Sequence, residues 1–130
     1  MIFTGRFSEG QWVTSPTEDI AMPFYLIQVI YKDTAAKSLV MRPQAREDII
    51  SKTCRSLGGK LHSFFFLFGE YDVVALAELP DNAAAAAFAL GTASGGAVSK
   101  FHTTVLLTAA EGLEAMRKAQ QIDYGPPVMS

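Results

Sequence analysis

The sequence predicts an α+β domain with the element order β-α-β-β-α-β, and three observations lead there. Four stretches rich in β-branched and aromatic residues, 23–31, 60–68, 72–79 and 98–107, read as strands. Two stretches with helical patterning or helix-forming composition, 33–57 and 83–93, separate the first strand from the second and the third from the fourth. Only Gly69-Glu70-Tyr71 lies between the second and third strands, which makes them a hairpin.

In chain order, residues 1–21 lack periodicity and are punctuated by Gly5, Gly10 and Pro16. Two readings of this leader stand side by side. Translation begins at Met22 and the leader is a start-site artefact, or the leader is an arm that packs on a neighbouring subunit through Phe3, Phe7 and Trp12. The first strand is apolar on both faces: Phe24, Leu26 and Ile30 on one, Tyr25, Ile27, Val29 and Tyr31 on the other. Gln28 interrupts the first set and, if buried, needs hydrogen-bond partners.

Asp33 or Thr34 is expected to cap the first helix. Pro43 removes a backbone donor and crowds the preceding turn, so a break is expected near residues 41–43. Beyond it, Ile49, Ile50, Thr53, Cys54 and Leu57 form one stripe, and Gly58-Gly59 supplies a left-handed cap. The hairpin over 58–81 is the most hydrophobic part of the chain. It is expected to place His62 with Phe64, Phe66 and Phe68 on one face, and Leu61, Phe65 and Leu67 on the other. Pro80-Asp81-Asn82 stops the third strand and caps an alanine-rich helix with Phe88 and Leu90 as its large apolar residues. Alanine's small side chain suggests a helix lying close to the sheet. Thr108-Ala109-Ala110-Glu111 is a capping box that opens a short helix to about residue 120. The tail, 121–130, is expected to be mobile.

This order is the ferredoxin-like, split βαβ pattern. Right-handed crossovers give an antiparallel sheet in the order 4-1-3-2 with both main helices on one face. One sheet face is then bare, yet three strands are apolar on both sides. A monomer presenting that face would exceed the apolar patch usual on soluble monomers. The expected cover is a second copy, sheet against sheet, as a dimeric α/β barrel, with a higher oligomer if the leader or the C-terminal helix reaches across.

Composition bounds the function. The chain of 130 residues suits one domain, here 22–120, and with 49% hydrophobic and 18% charged residues it can fill a core. Eleven Lys and Arg against 13 Asp and Glu leave a formal charge of −2, without the basic excess that nucleic-acid binding uses. A single cysteine, Cys54, cannot staple the fold. No apolar run approaches the roughly 18 residues of a membrane span, and the N-terminus lacks the pattern of a signal peptide. Neither membrane nor nucleic acid is an expected partner, and a cytoplasmic location is expected.

At the hairpin turn, Gly69-Glu70-Tyr71-Asp72 resembles the Gly-x-Tyr-Asp signature of the GYD domain family. The resemblance continues at Arg46, Gly58-Gly59, Glu78-x-Pro80-Asp81, Gly95-Gly96 and Thr108-x-x-Glu111, and covers about residues 23–118. It implies a small bacterial or archaeal ferredoxin-like protein that assembles through its sheet. It implies no particular reaction, and the leader departs from the family pattern.

Candidate site residues are few. The turn has a structural reading, with Gly69 at positive φ, Asp72 accepting backbone N–H groups and Tyr71 packing across the hairpin. Its functional alternative sets Tyr71 and Asp72 at a pocket mouth as donor and base. His62 is the remaining catalytic candidate, as a general base, against a half-exposed histidine facing the dimer cavity. Gln28, His62 and Tyr71 are the candidate ligand contacts. His62 and His102 lie on opposite sheet edges, ~14 Å apart, too far to share a metal within one subunit; neither a metal nor a cofactor is expected. Glu78 reads as a partner for the helix dipole beyond it, the Gly-rich 91–96 as a helix stop, and Cys54 as an inert core residue. The favoured reading is a non-catalytic, self-associating module that binds a small apolar ligand or another protein. The alternative is a cofactor-independent enzyme acting on a small aromatic or quinone-like molecule between sheet and helices.

Overall fold

Four antiparallel strands form one sheet in a computed structural model that describes residues 22–128; both readings of the leader fall outside the described residues. The elements are β1 (Phe24–Tyr31), α1 (Asp33–Met41), α2 (Arg46–Ser56), β2 (Lys60–Phe66), β3 (Val73–Glu78), α3 (Asn82–Ser94), β4 (Val98–Leu106) and α4 (Ala109–Ala119). The sheet order is β2-β3-β1-β4, which is 4-1-3-2 read from the other edge. β1 and β3 are central and pair in register from Phe24 opposite Glu78 to Val29 opposite Val73.

Alternation along the central strands sets the two faces. Tyr25, Ile27 and Val29 of β1 and Val73, Ala75 and Ala77 of β3 are buried, with Cys54 of α2 and Ala85 and Phe88 of α3 packed in the same cluster. Their alternates, Phe24, Leu26, Gln28, Val74, Leu76 and Glu78, are only half-buried on the opposite face. The core, α2 and α3 therefore lie on one side of the sheet. Tyr25 is fully buried, and its hydroxyl donates to Asn82 Oδ1 at 2.8 Å, so the ring's polar tip is satisfied where α3 begins.

The break at Pro43 separates α1 from α2 as the sequence predicts. The cap of α1 differs from expectation. Lys32 occupies the N-cap without a side-chain bond, and Asp33 sits in the first turn, where its charge meets the helix dipole. At the end of α2, Gly58 adopts φ 85°, Gly59 N–H donates to Cys54 O at 2.8 Å and Gly58 N–H to Arg55 O at 3.0 Å, a Schellman motif. Gly59 is glycine for a different reason: a Cβ there would lie 2.1 Å from Glu78 O.

β2 corrects the hairpin expectation. It ends at Phe66 rather than 68, leaving Phe68 fully exposed. Its register to β3 slips between Leu61, opposite Ala77, and Ser63, opposite Leu76. This bulge inserts one residue and reverses the alternation beyond it. Leu61 and Phe64 therefore both pack on the core side, and Phe66 follows Phe64 with ring centroids 5.2 Å apart. His62 is thrown onto the open face, away from the phenylalanines with which simple alternation groups it.

α3 is capped by Asp81, whose carboxylate accepts Ala84 N–H at 2.9 Å; Phe88 is buried and Leu90 faces out. The capping box of α4 is formed in both directions, Thr108 N–H to Glu111 Oε1 at 2.8 Å and Glu111 N–H to Thr108 Oγ1 at 3.1 Å. No residue of α4 is buried, and Met116, Ile122 and Tyr124 are all about two-thirds exposed.

Candidate functional site

On the helix side the sheet is incompletely covered. α1 and α2 stand to one side, α3 to the other, and a cavity of about 700 Å³ opens between them. Its floor is apolar: Ile27 and Val29 of β1, Val73 and Ala75 of β3, Phe64 of β2 and Phe101 of β4. The helices contribute larger side chains, Leu39, Ile49, Ile50 and Phe88, and many short ones, Thr34, Ala35 and Ser38 on α1 and Gly91, Thr92 and Gly95 on and after α3. The short side chains leave part of the space unfilled. Gly91, Thr92 and Gly95 leave this room at the C-terminal end of α3, while Ala85 and Phe88 nearer its start are buried against the sheet.

The ionisable content of the lining is slight. Among the described residues that line it, Tyr31 and Arg46 are the only ionisable side chains; the set includes no carboxylate, histidine, lysine or cysteine. Arg46, the first residue of α2, is half-buried, and its guanidinium donates to Gln44 Oε1 at 3.0 Å. Gln44 itself, Thr34 and Ser38 add hydrogen-bonding groups at the rim. Such a site holds and orients a small molecule more readily than it moves a proton.

The predicted site residues lie elsewhere. His62 Nε2 is 2.7 Å from Glu78 Oε1 and its ring lies 5.4 Å from that of Phe24, at the β2 edge of the open face. Glu78 therefore pairs with a histidine on the neighbouring strand, and the helix beyond it is served by Asp81. Tyr71 stacks on His102 of β4, with centroids 6.3 Å apart and planes 24° from parallel, and Lys100 Nζ lies 5.8 Å from the Tyr71 centroid. Tyr71 thus reaches across β1 to the far edge strand instead of packing across its own hairpin. Gln28 is opposite His102 on one side and Val74 on the other, half-exposed, so burial does not press it for partners.

Asp72 is held by backbone: its carboxylate accepts Tyr31 N–H at 2.9 Å. Gly69 is not at positive φ, the conformation adopted among the described residues by Gly58 and Gly96. Gln28, Tyr71 and His102 share one end of the open face and His62 the opposite corner. None of them lines the cavity.

Two buried groups have shifted acidity. Burial raises the Cys54 thiol, with the nearby Arg55 charge opposing. Burial raises the Tyr25 hydroxyl too, and the Asp81 carboxylate adds to it. Among the described residues no cluster of three or more His, Cys, Asp or Glu is placed to hold a metal ion. No described helix is long and apolar enough to cross a membrane.

What sequence reasoning missed is the cavity wall. Its signal was the coincidence of small residues on two helices, Thr34-Ala35 with Ser38 and Gly91-Thr92 with Gly95, flanking a helix break. Each segment had a local explanation as helix former or helix stop, and only the fold brings them to one cavity.

No curated protein matches the sequence. Among solved structures the chain is similar to MtbAldR, with 15% identity and a TM-score of 0.47 over 76% of this chain and 60% of that one. It is also similar to a transcriptional regulator from Neisseria meningitidis crystallised with L-Met, with 23% identity and a TM-score of 0.49 over 79% of this chain and 61% of that one. The chain thus spans about three-fifths of the length of these structures. The GYD domain model matches residues 25–116, the sheet except Phe24, helices α1 to α3 and most of α4. With that match over most of its length, and with the Gly69-x-Tyr71-Asp72 turn tying β1 to the hairpin, this chain belongs to the GYD domain family.

Proposed function

We propose that this protein is a non-catalytic, self-associating module that binds a small, largely apolar molecule between its sheet and helices. The observation that carries the reading is the cavity of about 700 Å³, within the roughly 300–1,000 Å³ range of small-ligand pockets. Its apolar floor supplies affinity, and its few rim groups supply orientation. The same lining disfavours the enzyme alternative. A cofactor-independent reaction on an aromatic or quinone-like substrate needs a general base near neutral pH, and His62, Tyr71 and Asp72 are not on this cavity.

Self-association rests on the opposite face. Leu26, Val74 and Leu76 in its centre, and Phe65, which is 64% exposed at its edge, form an apolar surface that a second copy would cover by two-fold pairing. The exposed apolar residues of α4 and the chain beyond it offer a second contact to a neighbour. Native mass spectrometry of protein purified from its own host tests both halves together. The expected result is a dimer or larger assembly carrying an added small-molecule mass. A stable monomer, established by sedimentation, overturns the assembly; complexes that never retain added mass, together with no binding of apolar probes, overturn the ligand reading.

A further inference from the structure

We infer that the molecule held in this cavity is a monoanion: an apolar, ring-bearing body ending in one carboxylate that Arg46 binds. The inference rests on the small-molecule-binding reading above and adds the ligand's charge and the residue that reads it. Arg46 is the sole cation among the described lining residues, and no carboxylate pairs with it among the described residues. Among the described residues its one side-chain partner is the neutral oxygen of Gln44, at 3.0 Å. An arginine drawn half out of water and bonded only to an amide keeps most of its five donors for another acceptor, and its planar fork matches a carboxylate.

The rest of the lining fixes the other end of the ligand. Phe64, Phe88 and Phe101 bring three rings to the cavity, and the Phe88 and Phe101 centroids lie 5.9 Å apart. With no second cation in the described lining, a dianion would leave one charge unmatched in an apolar space. The N-terminus of α2 lies at the same rim, but Glu47 and Asp48 in its first turn offset the positive end of the dipole. The guanidinium is therefore the anchor.

The test compares 2-naphthoate with its neutral near-isostere 2-naphthamide by titration calorimetry on the full chain. Wild type is expected to bind the carboxylate at least about tenfold more tightly, as a charge-assisted hydrogen bond provides. Arg46→Gln is expected to erase that preference, with the carboxylate losing at least about tenfold more affinity than the amide and naphthamide still binding measurably, which shows the cavity intact. Gly91→Leu locates the site: a Cβ at Gly91 meets nothing within 4 Å, so the larger side chain grows into open space, and both probes should lose binding. Equal carboxylate preference in Arg46→Gln and wild type overturns the anionic anchor and leaves the binding reading standing. Unchanged binding in Gly91→Leu overturns the location. Failure of wild type to bind either probe overturns the binding reading itself.

Discussion

The Asp72 carboxylate accepts the backbone N–H of Tyr31 at 2.9 Å, while Asp72 N–H donates to Val29 O at 2.8 Å and Asp72 O accepts Leu67 N–H at 3.0 Å. One residue thus fastens the end of β1 to both sides of the hairpin. Asp72→Ala removes the acceptor and leaves a part-buried N–H unmatched, a loss of about 1–3 kcal/mol. Asp72→Asn retains a carbonyl oxygen there and should lose less. Urea denaturation measures both, and an alanine variant as stable as wild type would show that the carboxylate is not structural.

Gly58 and Gly59 are adjacent, yet they should respond to alanine on different scales. Gly58→Ala keeps the turn but forces a side chain into the left-handed region, at a cost of about 1–2 kcal/mol. Gly59→Ala drives a Cβ toward the backbone oxygen of Glu78, 2.1 Å away, where the neighbour is main chain in a sheet and cannot swing aside. Expressed and purified side by side, Gly58→Ala should fold with a lowered melting temperature and Gly59→Ala should fail to fold or lose more than about 4 kcal/mol, the range reserved for severe backbone or packing conflicts. Comparable losses at the two positions would contradict the close approach.

Cys54 has no exposed surface, and burial raises its pKa above the ordinary 9.0. The neutral thiol is thus favoured in the folded state. Its contribution to stability is complete below the unfolded pKa and is lost as pH rises through the folded one. The stability of wild type should decline above about pH 9 more steeply than that of Cys54→Ala, on top of a lower plateau for the alanine variant from the lost packing. Iodoacetamide at pH 8 should leave native Cys54 unmodified and label it in urea. Rapid labelling of the folded protein would refute its burial.

Much of the fold was legible in local pattern. The proline break, the Gly58-Gly59 cap and the Thr108–Glu111 box each depend on residues a few positions apart. What escaped depended on partners across the sheet. A single inserted residue at His62 to Ser63 turned Phe64 and Phe66 toward the helix side, and no composition or period announces a bulge. Glu78 was read against the following helix because its histidine partner lies 16 residues away in sequence. The cavity was the least legible feature, since it consists of what Ala35, Ser38, Gly91 and Thr92 do not fill.

The bulge also changes which residues can report on self-association. With Phe64 and Phe66 turned to the core side, the open face presents Phe65 beside Val74, which in turn pairs with Gln28 of β1. Val74→Lys places a charge at the centre of that face. In a monomer the half-buried stem would stay on the sheet with its ammonium in water, and stability would change by about 1 kcal/mol, the ordinary scale of a point substitution. In a sheet-to-sheet dimer it would bury an unpaired ammonium and cost several kcal/mol of association, weakening the dimer by two decades or more in Kd at about 1.4 kcal/mol per decade. Sedimentation velocity should then show wild type as a dimer or larger assembly and Val74→Lys as a monomer, with the same far-UV circular dichroism. An assembly that survives the lysine is held by other contacts, with the exposed residues of α4 the next to test, and the open sheet face is not the interface.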